Sequence, residues 1–255
     1  MIKICIWRRV ECVHETPLCT FRGEKVATLF DTPGSHIPRP PREVTSGVVH
    51  LPDWLPLEQQ AALVTEARDL ARTVAGTPLA MVRPQLHRGQ MSVHMLSLGQ
   101  HWATNPYRYV RQVDGVRVPP IPDSFHTLAA CALEEVAGLS PSLAAWSGKY
   151  RADAALVNYY APDSTMGMHQ DINEVSTAPV ISLSIGDTGM FRMGNTENRN
   201  RPWVDIPLLS GDLIVFGGAH RRAFHGVPKI ERHTAPSGCG LTEGRINITI
   251  RQVGL

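Results

Sequence analysis

One short run constrains the fold more than any other: residues 245 to 251 read "RINITIR". Side chains on a strand alternate with a period of two, so Ile246, Ile248 and Ile250 share one face. Arg245, Asn247, Thr249 and Arg251 must share the other. Such a strand belongs to a sheet with one apolar face, and its polar face is either a solvated edge or an anion-binding interior. From about residue 154 onward the chain repeats the theme in short β-rich runs, "ALVNYY", "VISLSIG", "GMFRM", "WVDIPL" and "DLIVFGG", separated by Gly, Pro, Asn and Asp. Their spacing predicts a sandwich, jelly roll or barrel.

Helical signals precede that β-rich half. From Pro56 to Val74 the apolar positions Leu63, Val64, Ala67, Leu70, Ala71 and Val74 recur at three and four, with Gly76 and Pro78 past the end. A second amphipathic helix is predicted to begin after Asp123 as N-cap and to stop at Gly138. Both read as braces on a sheet, which makes the class α+β. Residues 1 to about 45 show no period and end in "GSHIPRPPREV", so they read as an extended or poorly ordered lead-in.

The 255 residues are 43% hydrophobic and 19% charged, ordinary values for a soluble globular protein. A net charge of +2 does not announce a nucleic-acid binder, although residues 192 to 251 hold nine Arg or Lys against five Asp or Glu. No apolar run reaches the roughly 18 residues that a membrane span needs. The chain is therefore expected in the cytoplasm, without a membrane partner and as a monomer. Its five cysteines include no Cys-x-x-Cys and are odd in number, which favours reduced thiols over a zinc knuckle or a disulfide framework.

Residues 168 to 175, "MHQDINEV", supply the first chemistry. His169 and Asp171, two apart on extended chain, point the same way and can occupy adjacent corners of one metal. His225 in "RRAFHGV" is the candidate third ligand. Two histidines and one carboxylate on one face of Fe(II) leave open positions for a co-substrate and dioxygen. A structural zinc would want a fourth protein ligand. A bidentate 2-oxo acid on such an iron needs its far carboxylate held by arginine, whose planar fork matches a carboxylate. Arg245 and Arg251, about 20 Å apart along an extended strand at roughly 3.3 Å per residue, are the suppliers at hand.

With these residues in place, the chain resembles the AlkB-like Fe(II)/2-oxoglutarate-dependent dioxygenases. The likeness runs from about residue 80 onward, through "MSV", "GQHWATNPYRY", "PDSFHTL", "VNYYAP", "HQD", "PVISLSIG", "GDLIVFGG", "FHGV" and "RINITIRQ". It implies a double-stranded β-helix (jelly-roll) core over about residues 150 to 255. It further implies a nucleotide-recognition lid over about 80 to 120, within one dioxygenase domain spanning 46 to 255. It makes His169, Asp171 and His225 the iron ligands and the catalytic centre. Arg245 then anchors the far carboxylate of 2-oxoglutarate, Arg251 works beside the keto-acid end, and Asn158, Tyr160 and Asn247 hydrogen-bond the co-substrate. Trp102 and Tyr109 keep the family's spacing of seven, which implies that Trp102 stacks on a flipped base and that Tyr109 touches the nucleic-acid backbone or a base.

The implied reaction is oxidative demethylation of N-alkylated bases in DNA, with RNA as a further candidate, releasing succinate, carbon dioxide and formaldehyde. A duplex lesion is out of reach, so the implied partner is single-stranded or base-flipped nucleic acid. Two other readings stay open: an oxygenase of this type acting on a small molecule or protein, and a catalytically silent nucleic-acid-binding relative. Asn173 departs from the family's pattern, which has an acid two residues after the metal aspartate. As a substrate-facing residue it keeps an acceptor and loses a charge.

Overall fold

The computed structural model describes residues 39 to 254. Most of the expected lead-in, with Cys5, Cys12 and Cys19, lies outside the described residues. Where that lead-in enters the described part it is already structured: Arg42–Thr45 is a strand, paired antiparallel with Val48–Leu51.

Helix α1 covers Leu57–Thr73, helix α2 Asp123–Ala137 and a short helix α3 Pro141–Ala144. The N-cap of α2 is Pro122, at φ −63° and ψ 152°, and no side-chain cap bond forms, which corrects the assignment of Asp123. Proline fixes the extended entry, and Asp123 instead sits in the first turn, where its charge meets the positive end of the helix dipole.

Seven strands form the larger sheet, in the order Arg42–Thr45, Val48–Leu51, Leu213–Phe216, Val180–Gly186, Arg245–Arg251, Ala154–Tyr160 and His94–Leu98. A second sheet orders Val204–Leu208, Thr188–Met193, His225–Glu231 and Met166–His169. All pairings are antiparallel. Period-two alternation decides which side of the larger sheet each residue serves. Ile181, Leu183, Ile185, Ile246, Ile248 and Ile250 join one cluster with Leu63 and Val64 of α1 and with Phe125, Leu133 and Val136 of α2. Val180, Ile214, Phe216 and Tyr160 turn the other way and meet Phe191, Met193, Ile206 and Val227 of the smaller sheet. Two facing antiparallel sheets with helices outside the larger one make a jelly roll.

The arginine-bearing face of Arg245–Arg251 therefore looks into the space between the sheets, and all seven residues of the strand are buried. Of the two readings left open for that face, the interior holds. The segment from 80 to 120 is mixed. His94–Leu98 is an integral strand of the larger sheet, while His101–Thr104 with Tyr107–Val110, and Gln112–Val113 with Val116–Arg117, form separate hairpins. Cys239 is a buried free thiol; Cys131 is disulfide-bonded, which corrects the expectation of reduced thiols. Among the described residues no helix is long and apolar enough to cross a membrane.

Candidate iron centre and co-substrate pocket

A cavity of about 940 Å³ opens between the sheets. His169 ends its strand and lies directly opposite His225 on the neighbouring strand. Asp171 follows two residues on, where the chain leaves the sheet. One ligand atom from each of the three lies within 4.8 Å of the others. His169 Nε2 is 4.0 Å from Asp171 Oδ1, and His225 Nε2 is 3.9 Å from Asp171 Oδ2. Each imidazole sets its Nδ1 against a backbone carbonyl, that of Gly167 at 2.9 Å and that of Ala223 at 3.0 Å. Donating there from Nδ1 leaves the lone pair of Nε2 facing Asp171, the tautomer a metal ligand requires.

The electrostatics agree with ligation. Burial pushes the His225 pKa down to about 4, and His169 adds to that against the pull of Asp171, so the imidazole is neutral near pH 7. Burial opposes ionisation of Asp171, but Arg251 and the two histidines outweigh it and hold the carboxyl well below its usual range. Arg251 Nη2 donates to Asp171 Oδ2 at 2.9 Å. Arg251 is therefore engaged with the Asp171 carboxylate and is not, like Arg245, a guanidinium with two donors free.

Arg245 is the opposite case. It is only 1% exposed, with Nη2 donating to Ser184 Oγ at 2.7 Å and its guanidinium 5.1 Å from the Tyr160 ring. Its Nε and Nη1 have no partner, and burial lowers its pKa despite Tyr160. A buried cation with two unused donors demands an anion with matching geometry, and a carboxylate supplies it. Asn158 and Asn247 sit side by side next to it, joined at 3.3 Å. Asn247 donates to Ser182 Oγ and accepts from Thr249 Oγ1, both at 2.7 Å, whereas Asn158 Oδ1 is left without a partner. Tyr160 reaches Met166 Sδ with its hydroxyl at 3.6 Å.

At the mouth, Trp102 stacks on Tyr107 with ring centroids 5.5 Å apart and 16° between planes. Its indole N–H points to Asn173 Oδ1 at 3.5 Å. Tyr109 faces Trp102 across the hairpin. Its hydroxyl turns inward and donates to Glu174 Oε1 at 2.7 Å, with Arg251 Nη1 at 3.5 Å.

The 2OG-Fe(II) oxygenase superfamily model matches residues 47 to 251. Alpha-ketoglutarate-dependent dioxygenase AlkB of Escherichia coli is 32% identical over 172 residues, covering 64% of this chain and 73% of its own. The chain is an AlkB-like member of the 2OG-Fe(II) oxygenase superfamily. DNA N(6)-methyladenine demethylase ALKBH1C of Arabidopsis thaliana is 31% identical over 230 residues, or 82% of this chain. The chain spans about half the length of that relative, 49%. The solved structure of OsALKBH1 superposes with a TM-score of 0.73 at 28% identity, covering 84% of this chain and all of that one. The AlkB-like assignment rests on both sequence and fold.

Several residues of this AlkB-like pocket escaped the sequence reading. Ser182 and Ser184 stand between the isoleucines and leucine of "VISLSIG", and their alternation marks them as inward-facing once the neighbouring polar strand is recognised. Phe216 and Phe191 wall off His225, with ring centroids 4.9 and 5.9 Å away. Glu174 and Arg221, paired at 3.1 Å and both buried, carry no local signal.

Proposed function

We propose that this protein oxidatively removes N-alkyl groups from bases in DNA, and from RNA as a second polymer, using Fe(II), dioxygen and 2-oxoglutarate. One observation carries the reading: the His169, Asp171 and His225 cluster shares a cavity with the half-satisfied cation Arg245 and with the aromatic Trp102 at its mouth. The names of the relatives, a DNA N(6)-methyladenine demethylase among them, support a nucleic-acid substrate.

The donor set fits the group it would hold. Two neutral imidazole nitrogens and a carboxylate are the protein ligands of non-haem Fe(II) oxygenases, and Arg245 offers the fork for a distal carboxylate. Iron, 2-oxoglutarate and dioxygen together supply the oxidation that turns an N-methyl group into an N-hydroxymethyl group, which leaves as formaldehyde while succinate and carbon dioxide form. The protein's share is placement. Arg245 binds the far carboxylate, Arg251 orients Asp171, and the phenylalanine wall keeps water from His225. Asn158 and Asn247 present amide groups to the co-substrate. Tyr107 covers one face of Trp102, and a flipped base is taken on the other.

We take residues 46 to 255 as one dioxygenase domain, with the hairpins between 101 and 117 as its lid. We propose that the protein works as a monomer in the cytoplasm. The direct test is anaerobic loading with Fe(II) and 2-oxoglutarate, then exposure to air with methylated oligonucleotides. Formaldehyde is expected in step with succinate. Succinate without formaldehyde from any methylated DNA or RNA strand would favour a different substrate class.

Gly189 predicts an independent effect on the co-substrate. A Cβ there would lie 2.7 Å from Arg245 Nε and 2.9 Å from its Cδ, and the buried arginine has little room to retreat. Overpacking of this kind costs about 1–3 kcal/mol. Gly189→Ala is therefore expected to lower Tm and, by displacing the Arg245 guanidinium, to raise the KM for 2-oxoglutarate with oligonucleotide KM little changed. Equal 2-oxoglutarate KM values for variant and wild type would mean that Arg245 does not need this position.

Asn173 bears on base selectivity. It lines the mouth without a charge, and Glu174 beside it cannot lend one, because Tyr109 and Arg221 occupy its two oxygens. A hydrogen bond to a charged group is worth about 1.5–3 kcal/mol against 0.5–1.5 for a neutral one. Asn173→Asp is expected to raise the ratio of kcat/KM on cationic lesions such as 1-methyladenine over neutral ones such as 1-methylguanine by about fivefold, a gain of roughly 1 kcal/mol. Parallel kinetics on the two lesions check this; an unchanged or lowered ratio sinks it.

A further inference from the structure

We propose that Glu174 is a positioning residue that couples the lid to the metal-binding carboxylate Asp171. The inference rests on the reading of His169, Asp171 and His225 as a metal site.

Glu174 lies three residues beyond Asp171 and is buried. From the lid hairpin, Tyr109 donates its hydroxyl to Glu174 Oε1 at 2.7 Å. Arg251 Nε approaches that same oxygen at 3.6 Å, while Arg251 Nη2 donates to Asp171 Oδ2 at 2.9 Å. Arg221 Nη2 donates to the second oxygen of Glu174 at 3.1 Å. A continuous path therefore leads from lid hydroxyl to glutamate, from glutamate to guanidinium, and from guanidinium to the carboxylate that faces both histidines.

Two buried carboxylates stand against two buried guanidiniums. Arg251 divides its attraction between Asp171 and Glu174. Neutralising Glu174 leaves an uncompensated buried cation, and Arg251 then competes with a dication for Asp171 alone. Removing the Tyr109 hydroxyl frees Glu174 to turn, and the lid loses its hold on the centre. Outer partners of metal ligands commonly act in this way, by fixing ligand orientation and basicity.

Anaerobic Co(II) titration of the full chain tests the coupling without turnover, with dissociation constant and visible absorption band as readouts. Wild type is expected to bind, and His225→Ala to lose binding. Glu174→Gln should weaken Co(II) about 10–100-fold and alter the band, since its amide keeps an acceptor for Tyr109 but removes the charge. Tyr109→Phe, which deletes one oxygen from a hairpin outside the apolar clusters, should weaken it roughly 2–10-fold. The double variant should lose less than the two single losses added together, because both substitutions act through Arg251 on Asp171. Wild-type affinity and band in either single variant would overturn the proposal, and so would additive losses in the double. Tyr109→Phe decides the matter alone if Glu174→Gln does not fold. If His225→Ala binds as wild type does, the metal-site reading falls first and this inference with it.

Discussion

His225→Ala abolishes succinate and formaldehyde release while far-UV circular dichroism stays that of the wild type: this is the largest effect expected of any single change. The alanine removes one of three ligand atoms that lie within 4.8 Å of one another. Changes to mere outer partners of a ligand cost about 10–100-fold in metal affinity or activity, so loss of a ligand itself should exceed that range. The strands are held by backbone pairing and by the apolar clusters on both faces of the larger sheet, so the core survives. The ring does leave a gap against Phe216 and Phe191, and a modest fall in Tm is expected with it. Near-normal succinate production from the variant would remove His225 from the centre.

The second large effect is on the co-substrate. Arg245→Ala should raise the KM for 2-oxoglutarate roughly 10²–10³-fold, because truncating one partner of a buried charge pair costs about 3–5 kcal/mol. Free of co-substrate, the arginine has two nitrogens unsatisfied, so the alanine variant loses little in the resting fold. Arg245→Lys should recover only part of the loss, since an ammonium restores the charge without the planar fork. Steady-state titration of 2-oxoglutarate at saturating oligonucleotide measures both variants. If the alanine variant shows the wild-type KM, the anchor lies elsewhere.

Arg245 was legible before any coordinate because it belongs to a pattern that the backbone enforces. Strand alternation put Arg245 on a wholly polar face, whereas the structure brings Asp171 to His169 from just beyond the end of the strand Met166–His169. Where the backbone leaves the sheet, the same rule misleads. Alternation would turn Glu174 away from Asn173, but residues 170 to 179 form no strand, and the side chain curls inward to Tyr109, Arg221 and Arg251. The lid hid its geometry for a different reason. The hairpin register sets Trp102 opposite Tyr109 and Thr104 opposite Tyr107, so all four share one face and Tyr107 lies diagonal to Trp102, within reach of its ring. Spacing along the chain alone, which pairs Trp102 with Tyr109, cannot reveal that stack. The cap of α2 failed as a signal because proline at the preceding position satisfied the entry geometry without a side-chain oxygen.

The position of Arg245–Arg251 between Val180–Gly186 and Ala154–Tyr160 has a consequence for biosynthesis. A ribosome delivers those two neighbours long before the strand that must lie between them. Until it arrives, the nascent chain carries two open strand edges on an apolar sheet, the kind of surface that recruits other chains. Closure by the late strand joins segments distant in sequence, which favours slow folding. Any message that terminates before the Arg245 codon would thus yield a polypeptide that lacks this strand and is also prone to aggregate, so quality control in the cell would meet truncated forms as insoluble material and not as soluble, inactive protein.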